Sequence, residues 1–194
     1  MPVISVGNLS VGGTGKTPQI EYLIRLLKDE FKTAVLSRGY KRKTEGFVLL
    51  DKNHSAEDVG DEPLQYFKKF EGINVAVDAN RVAGITKLIA DKSPKVVLLD
   101  DAFQHRKVKG SFYILLTKYN DLFSDDFLLP TGNLRERRSG AKRADVILVT
   151  KCPENLNEVS KDEVLGKLKK YNKNVFFTTI SYNEKTSGNS KVSV

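Results

Sequence analysis

At 194 residues, 40% of them hydrophobic and 29% charged, the chain is sized for one soluble globular domain with a real core. The net charge of +8, from 32 Lys and Arg against 24 Asp and Glu, points to an anionic partner: nucleotide, nucleic acid or an acidic membrane surface. No apolar run approaches the ~18 residues of a membrane span; the lone Cys152 excludes an intramolecular disulfide and fits a reducing cytoplasm; and His54 and His105 lie too far apart to suggest a zinc site.

Strand and helix patterns alternate along the chain, which predicts an α/β fold with a mostly parallel sheet flanked by helices. Residues 3–6 form a first apolar run, reached at once from Met1-Pro2, so no signal peptide is expected. A glycine-rich stretch follows, and then a helix over 17–29 with Ile20, Leu23, Ile24 and Leu27 on one stripe. Strands are expected at 33–36 and at 46–50, the latter in a hairpin, and a helix at 62–70 with Pro63 in its first turn. A strand at 73–77 leads to a helix capped by Asn80 and running to residue 92, with Val82, Ile85 and Ile89 inward. Strands at 96–99, 112–116 and 146–149, a helix at 158–171 and a strand at 175–179 complete the pattern. The expected organisation is a single domain over 1–182, with a polar, disordered tail at 183–194.

The stretch Ser10-Val11-Gly12-Gly13-Thr14-Gly15-Lys16-Thr17 sits between that first strand and first helix. This is the context of a phosphate-binding P-loop. Gly12, Gly13, Thr14 and Gly15 would turn backbone N–H groups onto phosphate oxygens, Lys16 would reach the β- and γ-phosphates, and the Thr17 hydroxyl would ligate Mg²⁺. The positive end of the helix dipole points at the same place. Ser10 stands where the strict pattern has Gly; the competing reading is a Gly-rich turn without ligand. Asp100 and Asp101 end the apolar run Val96-Val97-Leu98-Leu99, the form of a Walker B strand that delivers carboxylate to Mg²⁺ at the sheet's C-terminal edge. Ser37-Arg38-Gly39-Tyr40, Gly60-Asp61-Glu62, Arg81 and Gln104-His105 stand at other strand ends; Asp61 suits the acceptor's proton and Arg81 a cationic clamp. Thr150-Lys151 resembles a guanine reader, but Cys152-Pro153 follow where its Asp belongs, so ATP is expected rather than GTP. The basic clusters 41–43 and 135–143 do not alternate with aromatics, so no nucleic-acid partner is expected.

Taken together these segments resemble the tetraacyldisaccharide 4′-kinase family, the lipid A 4′-kinases. The resemblance rests on Val6-Gly7-Asn8 through Thr17-Pro18, on Ser37-Arg38-Gly39-Tyr40, and on Val59-Gly60-Asp61-Glu62-Pro63 and Arg81. It continues through Leu99-Asp100-Asp101-Ala102-Phe103-Gln104-His105 and Leu129-Pro130-Thr131-Gly132-Asn133-Leu134-Arg135-Glu136. Ser10 is family-like. The resemblance implies transfer of the ATP γ-phosphate to the 4′-hydroxyl of tetraacyldisaccharide 1-phosphate, giving lipid IVA, at the cytoplasmic face of the bacterial inner membrane. It implies Lys16 and Thr17 on phosphates and Mg²⁺, Asp100 and Asp101 as Walker B acids, and Asp61 as the catalytic carboxylate. Arg81, Gln104, Arg135 and Glu136 would line the site, Arg135 as electrostatic stabiliser and Glu136 as a metal-side acid. An anionic membrane surface is an expected partner, and no protein partner is expected. The family's N-terminal hydrophobic helix and its C-terminal lobe, with the His that partners the catalytic Asp, have no counterpart in this sequence, so an N-terminal catalytic-lobe fragment, soluble in the cytoplasm, is expected. The alternative is a nucleotide-switch ATPase of the partition type, but Val11 stands where those proteins carry a signature Lys.

Overall fold

The alternation of strands and helices is realised in a computed structural model that describes residues 1–179, 181–182 and 192–193. The chain divides into two compact units, one made of Met1–Gly7 and Gln19–Tyr113, the other of Asn8–Pro18 and Ile114–Val194.

The first unit is built on β1 (Val3–Asn8), β2 (Thr33–Ser37), β3 (Val48–Leu49), β4 (Asn74–Val77) and β5 (Val96–Asp100). β1 pairs with β5, β5 with β2 and β2 with β4, all parallel. Strands covered on both faces must be apolar throughout rather than alternating, and β2 and β5 are buried at every residue. The short β3 is antiparallel to β4, its neighbour in the sheet, and is only two residues long where a strand over 46–50 was expected. The core joins Val3, Ala34, Leu36, Ala76, Val97 and Leu99 to Leu88 of a helix, α4 (Arg81–Lys92).

Asn80 caps α4 as expected, its side chain accepting from Ala83 N at 3.2 Å. The inward face differs from the expected one. Val82 and Ile89 are 47% and 44% exposed, whereas Arg81, Gly84 and Leu88 are buried and Ile85 packs at the edge of the core. Gly84 explains the rotation: a Cβ there would stand 2.9 Å from Leu36 and 3.0 Å from Asp78, so the helix turns its smallest side chain to the sheet.

Helix α1 (Lys16–Leu27) buries Ile20, Leu23 and Ile24 as its periodicity requires, and stops two residues short of the expected end. Its buried Glu21 accepts from Gln65 at 2.8 Å and Lys69 at 2.5 Å, and pairs with Arg25 at 3.1 Å. Gln65 and Lys69 lie on α3 (Asp61–Lys69), which follows a short α2 (Ala56–Val59) that the sequence pattern did not suggest.

In the second unit β6 (Phe112–Lys118), β7 (Val146–Thr150) and β8 (Val175–Phe177) are parallel, with α5 (Glu158–Leu168) between the last two in sequence. A 3₁₀ helix at Arg138–Arg143 occupies the basic cluster. β9 (Ser181–Tyr182) and β10 (Val192–Ser193) pair antiparallel. The rest of the tail expected at 183–194 lies outside the described residues. The architecture is the expected α/β class with mostly parallel strands. Among the described residues no helix is long and apolar enough to cross a membrane.

Candidate nucleotide site

The glycine-rich loop lies wholly in the second unit, between the last residue of β1 and the first turn of α1. Gly12 and Gly15 have φ of 97° and 87°, a region that L side chains rarely enter. Gly13 has no such constraint, and a Cβ built on it would meet nothing within 4 Å. Lys16 and Thr17 follow as the first two residues of α1, both half-buried, so the loop hands its N–H groups to a helix N-terminus.

The loop is held from beneath by side chains. Asn8 is fully buried; its Nδ2 donates to the Thr14 hydroxyl at 2.7 Å and lies 3.5 Å from Gly12 O. Its Oδ1 accepts from the Arg135 guanidinium, which also donates to Asn8 O at 3.0 Å. The backbone of 133–135 runs against the loop: Val11 N donates to Asn133 O at 2.8 Å and Arg135 N to Leu9 O at 2.7 Å. From the end of β7, Thr150 Oγ1 donates to Thr14 O at 2.8 Å, with Thr117 O at 3.2 Å as a second acceptor. The segment 150–151, read in sequence as a remnant base reader, thus carries a residue that fixes the phosphate loop. Glu136 is engaged by Arg143 at 2.8 Å.

The first unit gathers a second group of predicted residues at the C-terminal ends of β2, β4 and β5. Asp100 is the last residue of β5 and is buried. Its Oδ2 accepts from Ser37 Oγ and from the buried Tyr66 hydroxyl, both at 3.4 Å. Arg81, only 1% exposed, donates to Asp100 O at 3.2 Å and to Asp78 O. Burial pulls its pKa down to about 10, against the opposing pull of Asp100 and Asp101. Asp101 is half-buried with φ 47°, a turn conformation that carries the chain sharply away from the strand.

Asp61 is exposed at the first position of α3, after Gly60 at φ 93°. The 59–61 turn packs backbone to backbone on the Ser37-Arg38-Gly39-Tyr40 loop: a Cβ on Gly60 would lie 3.3 Å from Gly39 Cα and from Tyr40 O. Gln104 is half-buried beside His105, whose pKa is pushed below the ordinary imidazole value by burial and by Arg81 and Arg38, with Asp101 opposing. Sequence reasoning missed Asn8, Thr150 and Tyr66. Asn8 stood within a quoted motif; nothing in the pattern around Tyr66 separates it from an ordinary core aromatic.

A family model described as Tetraacyldisaccharide-1-P 4'-kinase (LpxK) matches residues 1–192. A Flavobacterium johnsoniae protein named Tetraacyldisaccharide 4'-kinase is 62% identical over 190 residues, which cover 97% of this chain and 56% of that protein. A protein of the same name from Bacteroides thetaiotaomicron is 50% identical over 185 residues, covering 94% and 49%. The chain therefore spans about half the length of the curated relatives it matches. Among solved structures, LpxK from Aquifex aeolicus, described as an "apo" form in complex with ATP, aligns with a TM-score of 0.71 at 32% identity, over 92% of this chain and 70% of that one. A putative plasmid partition protein from Borrelia burgdorferi bound to AMPPNP aligns with a TM-score of 0.52 at 8% identity, over 95% and 87%. That second likeness is one of fold alone.

Proposed function

The chain belongs to the tetraacyldisaccharide-1-P 4'-kinase family, and from that premise we propose that it carries the nucleotide-binding part of an ATP-dependent kinase acting in lipid A biosynthesis. The reaction moves the γ-phosphate of ATP to the 4′-hydroxyl of tetraacyldisaccharide 1-phosphate, giving lipid IVA. The observation that carries the reading is Gly13. No protein atom beyond its chain neighbours stands within 4 Å of where its Cβ would be, so the backbone there can be approached closely by a phosphate lying against the loop.

In this reading the N–H groups of Gly12, Gly13, Thr14 and Gly15 cradle phosphate oxygens, and Lys16 places its charge on the β- and γ-phosphates. The family resemblance implies Thr17 and Glu136 of the second unit, and Asp100 and Asp101 of the first, as the residues that would each offer oxygen to Mg²⁺. Their donors are all oxygen, which suits that ion. When bound, Mg²⁺ neutralises charge on the phosphates. Asp61, exposed at a helix start, accepts the proton of the attacking hydroxyl as its oxygen bonds to the γ-phosphorus and the bond to ADP breaks. Arg135 stabilises the charge on the transferring group. Arg81, bonded to the carbonyls of Asp78 and Asp100, acts as a positioning residue for the strand ends, and Gln104 lines the site. A lipid acceptor places the work peripherally at the cytoplasmic face of the inner membrane.

The test is transfer of label from γ-labelled ATP with tetraacyldisaccharide 1-phosphate present or absent, run on this chain and on the protein at its natural length. Label on the lipid is the expected result. Phosphate release that ignores the lipid, with no labelled lipid in either sample, would overturn the kinase reading and favour a nucleotide switch.

A further inference from the structure

The segment 126–138 of the second unit joins two properties rarely found together on a solvent-facing loop. Phe127, Leu128 and Leu129 are 62%, 43% and 53% exposed, three consecutive large apolar side chains. With Leu134, Arg137 and Arg138 they line an open groove of about 510 Å³. Isolated exposed apolar residues are ordinary; a contiguous patch signals an interaction surface.

This loop is also rigidly built. Asp126 Oδ1 accepts from Phe127 N at 2.8 Å and Asn133 N at 3.1 Å. Leu134 N donates to Phe127 O at 2.9 Å, Leu129 N to Leu134 O at 3.0 Å, and Gly132 N to Leu128 O at 3.1 Å. The apolar side chains are thus presented on a backbone that bonds Phe127 N and O, Leu128 O and Leu129 N within the loop, which lowers the cost of moving it into an apolar medium. Arg138 is tied down by its Nε donating to Asp126 O at 2.8 Å, and its guanidinium stands 5.2 Å from the centre of the Phe127 ring. Arg137 is exposed at the same groove.

We propose that Phe127, Leu128 and Leu129 insert into an anionic lipid bilayer while Arg137 and Arg138 meet its phosphate headgroups. The charge pattern selects this occupant: Arg137 and Arg138 beside the apolar centre complement an anionic interface, while the carboxylate of Asp126, which also lines the groove, is engaged by the N–H groups of Phe127 and Asn133. The inference rests on the reading of a lipid acceptor only for its biological purpose. It gives the contact an apolar component beside the electrostatic one.

The protein at its natural length is sedimented with vesicles of phosphatidylcholine, alone or with a share of phosphatidylglycerol, at low and high salt. Binding to the anionic vesicles is expected, with a part that survives high salt because burial of apolar surface is not screened. The combined substitution Phe127→Ser, Leu128→Ser and Leu129→Ser removes that part and lowers the partition coefficient about 100-fold. Arg137→Gln lowers binding about fivefold, and only at low salt. Equal binding by wild type and triple variant overturns the proposal. So does a wild type that ignores vesicles, with a triple variant that melts at lower temperature, because the patch is then covered by protein. Binding of a fluorescent ATP analogue is measured on the same samples. Its absence from the wild type strikes the kinase reading, while the vesicle result still decides this one.

Discussion

Replacing Asn8 with Ala tests whether the phosphate loop owes its shape to the side chain beneath it. Asn8 is fully buried, and its amide serves both sides of the loop's base: Nδ2 donates to Thr14 Oγ1 at 2.7 Å, and Oδ1 accepts from Arg135. A neutral hydrogen bond contributes about 1 kcal/mol net, and one to a charged group about 1.5–3 kcal/mol. Loss of both should lower stability by about 3 kcal/mol, a large share of the roughly 5–15 kcal/mol available to a domain. The 3.5 Å approach to Gly12 O is too long to add much. Freed at its base, the loop must be ordered by the nucleotide itself, and ATP affinity should fall by tenfold or more, about 1.4 kcal/mol. Asn8→Asp separates the two effects. Its carboxylate still accepts from Arg135 and from the Thr14 hydroxyl, so stability should hold, while the added negative charge beside the phosphates lowers ATP affinity. Urea melts give the first quantity, and calorimetric titration with a non-hydrolysable ATP analogue the second. An Asn8→Ala protein that melts and binds as the wild type does would refute the reasoning.

Lys16→Ala should leave the melting temperature nearly unchanged, since Lys16 is half-buried and outside the apolar core, while ATP affinity measured by calorimetry drops at least tenfold; unchanged affinity would remove the loop from phosphate binding. Asp61→Asn, assayed by steady-state kinetics in the protein at its natural length, should lower kcat by roughly 10²–10⁴ with little change in ATP affinity, because acceptance of the acceptor's proton matters only in the transition state. His105 should titrate below ordinary imidazole when followed by NMR, and Arg38→Ala should move it back upward. The unfolded chain then binds the proton more tightly than the folded one. This residue's contribution therefore favours the fold above the unfolded imidazole pKa near ~6.5 and weakens as pH falls through it toward the lower folded pKa. A folded-state pKa at or above the unfolded one would contradict the burial and repulsion described.

The sequence by itself determined the strand-loop-helix start, the apolar strands with Asp100 at the end of one, and the Asn80 cap. Each is a short-range property: glycine's access to positive φ, an unbroken apolar run, a side chain reaching three residues along its own backbone. The family signature was legible for the same reason, as a series of such local segments in a fixed order.

Tertiary structure alone decided which face of α4 turns inward. Apolar periodicity chose Val82, Ile85 and Ile89, but the close approach of Gly84 to Leu36 and Asp78, and the carbonyls of Asp78 and Asp100 waiting for the Arg81 guanidinium, rotate the helix until Val82 and Ile89 face outward. A hydrophobicity pattern cannot register a buried arginine whose partners lie on two different strand ends. The same holds for Asn8, which gains its role from Arg135, and for Thr150, which holds the carbonyl of Thr14. Phe127, Leu128 and Leu129 looked in sequence like any apolar run. Only the hydrogen-bonded loop around them, which keeps their side chains out of the core, set them apart.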